Sequence, residues 1–82
     1  MASRNPNAEY RAKYLSALIE KVREDTHPST THMDLIEQSI PPEWLPEYID
    51  VLIEKIAGEN YPSTSMLKRI GMLVERVPAR TR

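Results

Sequence analysis

The chain repeats itself, and that repeat constrains its fold more than anything else in it. Residues 14–30 read YLSALIEKVREDTHPST and residues 48–64 read YIDVLIEKIAGENYPST, an offset of 34 with no gap. Across 8–36 and 42–70 the pairs Glu9/Glu43, Tyr14/Tyr48, Leu18/Leu52, Ile19/Ile53, Glu20/Glu54, Lys21/Lys55, Pro28/Pro62, Ser29/Ser63, Thr30/Thr64 and Ile36/Ile70 are identical, ten positions of twenty-nine. Each copy holds two segments of helical periodicity separated by a Pro-Ser-Thr turn. The expected fold is therefore all-α: a compact four-helix domain of two tandem helical hairpins with pseudo-twofold symmetry.

The boundaries follow from local chemistry. Residues 1–5 read as a flexible N-terminal tail. A single helical domain is expected over 6–77, with hairpin one at 6–40 and hairpin two at 42–77, followed by a flexible basic tail at 78–82. Asn5 before Pro6 has the pattern of an N-cap with proline at the first helical position, where its missing N–H costs nothing. Pro28 and Pro62 bias the preceding residue away from helix. Ser29 or Thr30, and Ser63 or Thr64, are then the caps of the second helix of each hairpin. Pro41-Pro42 ends the first hairpin. Pro46 cannot lie deep in a helix as its repeat partner Ala12 does, so the third helix starts close to it, after a separate turn at Glu43-Trp44-Leu45. Gly58 marks the end of that helix. Gly71 lies inside the fourth helix at a cost of about 1 kcal/mol relative to alanine, which suggests close approach of another helix.

The apolar faces predict the core. Tyr10, Tyr14, Leu15, Leu18, Ile19 and Val22 cover half of the first helix; Met33, Ile36 and Ile40 share a face of the second. Tyr48, Ile49, Leu52, Ile53 and Ile56 repeat the pattern, and Met66, Leu67, Ile70, Leu73, Val74 and Val77 line the fourth. A period of 34 is the tetratricopeptide length. The Leu-Gly, Ala and Phe positions of that family are missing here, so the period alone does not place the chain in it.

Composition excludes several functions. With 82 residues, 40% apolar and 28% charged, and a net charge of −1, the chain has the balance of one soluble domain and no overall nucleic-acid signature. It has no cysteine, hence neither disulfides nor thiolate metal sites, which suits a cytoplasmic protein. The opening MASRNPNAEYR lacks the apolar core of a secretory signal, and no apolar run approaches the ~20 residues needed to span a bilayer. Four tyrosines and one tryptophan beside no phenylalanine mean that every large ring has a polar handle, which suits half-buried positions and interfaces. His27 and His32, with Asp25 and Asp34 nearby, invite a metal site. They align with Tyr61 and Met66, however, and both read as packing positions. No catalytic, cofactor or metal site is expected, and the chain is not expected to be an enzyme.

Charge is distributed unequally. Between Arg23 and Lys55 there is no lysine or arginine. Glu43, Glu47, Asp50 and Glu54, spaced 4, 3 and 4, form an acidic row on the third helix opposite its apolar face. Lys68, Arg69, Arg76, Arg80 and Arg82 then face Glu75 alone. Met72 falls outside the apolar arc of the fourth helix, among Lys68, Arg69 and Arg76. Trp44 stands at the mouth of the third helix. These residues form the candidate interaction surface. The expected function is a small non-catalytic protein–protein interaction module (an adaptor, regulator or subunit) whose partner is another protein or a second copy of itself. The alternative is nucleic-acid binding through the basic fourth helix and tail.

Overall fold

A computed structural model describes residues 6–59 and 63–78. Four α-helices account for most of them: α1 (Pro6–Glu24), α2 (Thr30–Ser39), α3 (Leu45–Ala57) and α4 (Thr64–Arg76). A 3₁₀ turn, Pro42–Trp44, precedes α3, and no strand occurs among the described residues. The protein is all-α. The assignments made for the 1–5 tail, the Asn5 cap, Tyr61, Pro62 and the tail beyond Pro78 lie outside the described residues. The chain divides into two compact units, Met1–Ser39 and Ile40–Arg82. Ile40, expected on the face of the second helix, lies past the end of α2 and belongs to the second unit.

In the first unit α1 packs on α2. Helix α1 opens on Pro6 and ends at Glu24, where the Asp25 N–H still donates to the Lys21 carbonyl at 3.0 Å. The turn carries Pro28, and α2 restarts under a cap. Ser29 Oγ accepts from the His32 N–H at 3.2 Å, and the Ser29 carbonyl accepts from the Met33 N–H at 3.1 Å. The residue whose oxygen reaches the N–H three positions on is the N-cap, so Thr30 is the first helical residue and not a cap. Leu15, Ile19 and Val22 on α1 and Met33 and Ile36 on α2 form the core of this unit. Each such side chain, fully withdrawn from water, contributes roughly 1.5–3 kcal/mol before the entropy of ordering it. The buried arc of α1 is narrower than its apolar arc. Tyr10 and Tyr14 are exposed and Leu18 is half-buried.

In the second unit α3 packs on α4 and on the 3₁₀ turn. The Trp44 N–H donates to the Pro41 carbonyl at 3.0 Å. Helix α3 follows directly with Leu45, so Leu45 belongs to it and Pro46 stands within its first two positions, where no intrahelical bond is lost. Gly58 ends α3 with φ −86° and ψ 1°, a backbone open to any residue. Helix α4 repeats the serine cap: Ser63 Oγ accepts from the Met66 N–H at 3.0 Å, and Thr64 is again the first helical residue rather than the cap. Before Pro78 the backbone turns extended at Val77, as proline requires of its predecessor. The buried residues are Ile40, Leu45, Tyr48, Ile49, Val51, Leu52, Ile70 and Leu73.

The two sequence copies do not bury the same positions. Tyr48 is 0% exposed, whereas its counterpart Tyr14 is 46% exposed; Ile53 is 43% exposed, whereas Ile19 is 3%. The cause can be read from the residues that differ. Helix α3 carries Leu45 and Val51 where α1 carries Arg11 and Ala17. These two extra apolar side chains swing the buried arc of α3 around its axis, bringing Tyr48 in and leaving Ile53 at its edge. Each unit holds two packed helices, but the aligned positions are not buried alike.

Candidate interaction surface on the second hairpin

The surface of α4 is built by its pattern. Ile70 and Leu73 are buried and Met66 and Val77 half-buried, which sets the inward face. At about 100° per residue, Lys68, Met72 and Arg76 form one row more than a quarter-turn from that face. All three are exposed, Met72 by 71%. Arg69 lies between this row and the core; it is half-buried and already engaged within the protein. A large thioether therefore stands in water between two cations that extend from the same helix face. Leu67 and Val74, expected in the core, are also exposed, on the other flank of the helix with Gly71 between them. The inward arc of α4 admits only residues near the line through Ile70 and Leu73, and these two fall outside it.

On α3 the buried residues leave the opposite side to Glu47, Asp50 and Glu54, all exposed, with Glu43 exposed in the 3₁₀ turn just before. Carboxylates three and four residues apart repel by a few tenths of a kcal/mol per pair. The exposed Ile53 stands at the edge of this row. Trp44 is half-buried at the entry to α3. The structure thus places Glu47, Asp50 and Glu54 together on α3, with Glu43 in the turn before it, and Lys68, Met72 and Arg76 together on α4.

Gly71 does not mark a close helix approach. A Cβ built there meets no atom within 4 Å among the described residues. His32 is half-buried, and its Nδ1 is buried with no hydrogen-bond partner among the described residues. No group of three His, Cys, Asp or Glu side chains suited to a metal ion occurs among the described residues. Among the described residues, no helix is long and apolar enough to cross a membrane.

One surface feature escaped the reading of the sequence. The first unit carries an open groove of about 390 Å³, lined by Asn7, Tyr10, Arg11, Tyr14, Gln38 and Ser39. Lys13 Nζ lies 5.2 Å from the centre of the Tyr10 ring, within cation–π range, and Arg11 donates weakly to Asn7 Oδ1 at 3.5 Å. The signal that could have found it is the preference for tyrosine over phenylalanine, combined with Arg11 interrupting the apolar arc beside Tyr10 and Tyr14. Comparison with protein-family models, curated proteins and solved structures returns no match for this chain.

Proposed function

We propose that this protein is a small non-catalytic protein–protein interaction module that binds through the α4 face of its second hairpin. The observation that carries this reading is the row Lys68–Met72–Arg76, with Met72 71% exposed at its centre. Methionine is flexible and polarisable, and it is enriched where a surface must adapt to a partner. Flanking cations supply attraction and register to an acidic partner, while the apolar centre supplies contact area. A phosphate backbone would use the cations and gain little from the thioether, and the acidic row on α3 would repel it.

The test uses immobilised full-length protein, wild type against Lys68→Glu/Met72→Glu, with both checked by circular dichroism for equal helix content. A protein retained from native lysate by the wild type and lost with the variant supports the reading. Identical capture by both would refute it. Capture that disappears on nuclease treatment would transfer the same face to the nucleic-acid reading.

A further inference from the structure

Building on that reading, we infer that the acidic partner of the α4 face is the α3 face of a second copy of this chain. The two rows are opposite in sign and alike in length and apolar content. Glu47 to Glu54 spans roughly 10 Å along α3, and Lys68 to Arg76 spans roughly 12 Å along α4, at 1.5 Å per residue. The acidic row is edged by an exposed Ile53, and the basic row is centred on an exposed Met72. Laid side by side, the cations of one copy reach Asp50 and Glu54 of the other while Met72 comes down beside Ile53. Each copy carries one face of either kind, so every molecule presents both halves of the contact. Such pairing of unlike faces builds rings when the rotation closes and chains when it does not.

The decisive substitutions all fall on exposed residues, so folding is preserved in each. Sedimentation velocity in 20 mM and 500 mM salt reads the association; added salt shortens the screening length from tens of ångströms to a few. Wild type associates at low salt and dissociates at high salt. Lys68→Glu/Arg76→Glu alone, and Asp50→Lys/Glu54→Lys alone, each weaken self-association about tenfold or more by placing like charges together. The chain carrying all four substitutions has the same net charge as wild type. It recovers self-association with itself but fails to co-assemble with wild type. A monomeric wild type at low salt, or charge-reversed single faces that still associate, would overturn the second-copy assignment. The lysate comparison decides the interaction reading separately, because it scores any protein lost with the α4 variant, this chain included; a foreign protein on that face in place of this chain would leave the interaction reading standing and overturn the second-copy assignment.

Discussion

Replacing Gly71 by alanine tests whether the solvent side of α4 is as open as the structure has it. Gly71 sits near the middle of a 13-residue helix, where glycine costs about 1 kcal/mol relative to alanine because its backbone loses more freedom on folding. The penalty persists in natural sequences where a side chain would collide with a neighbour. Here a Cβ would meet nothing within 4 Å among the described residues, so the full propensity gain should appear, about 0.8–1 kcal/mol. The added methyl remains in water and contributes no burial term. For a domain of this size 1 kcal/mol corresponds to a rise in Tm of about 4–8 °C. Thermal melts by circular dichroism at 222 nm, with urea titration as a second measure, read the effect. Gly58→Ala is the internal control: its φ is negative and, among the described residues, its new Cβ would touch only the Glu54 and Lys55 carbonyls at 3.9 Å, so it should change stability by less than about 0.5 kcal/mol. An unchanged or lowered Tm for Gly71→Ala would refute the reasoning, because it would mean that the Leu67–Gly71–Val74 flank is covered.

Two further predictions concern the caps and the repeat. Ser29→Ala and Ser63→Ala should each cost on the order of 1 kcal/mol by freeing the N–H of His32 or Met66, while Thr30→Ala and Thr64→Ala should cost under about 0.5 kcal/mol; equal losses at all four positions in urea melts would contradict the cap assignment. Tyr48→Ala should destabilise by about 3 kcal/mol or more and Tyr14→Ala by under about 1 kcal/mol, although the two tyrosines are aligned in the repeat; similar values would show that the copies bury the same positions after all.

What was legible in the sequence was local. The ends of α2, α3 and α4 follow from Ser29, Ser63, Pro46 and Pro78, whose effects act within a turn of the residue itself. The acidic row was legible for the same reason, since helical spacing alone stacks Glu47, Asp50 and Glu54. Burial was less so, because it is a tertiary property. Leu67 and Val74 have every local mark of core residues, but the width of the face that α4 turns inward excludes them. Val51, absent from the expected core, is buried because the inward arc of α3, with Leu45 on it, is turned relative to that of α1. The groove beside Tyr10 and Tyr14 needs the far end of α2 to supply Gln38 and Ser39, which no pattern within α1 reveals.

Trp44 has a consequence for how this molecule can be observed. It is the chain's single indole, half-buried against the entry of α3, and the first unit has none. Tryptophan emission therefore originates in the second unit, whereas far-ultraviolet dichroism weighs all four helices together. Unfolding followed by both signals resolves the hairpins spectroscopically with no label introduced. Because the chain lacks cysteine, a single thiol placed on α1 would give the first hairpin an equally private signal.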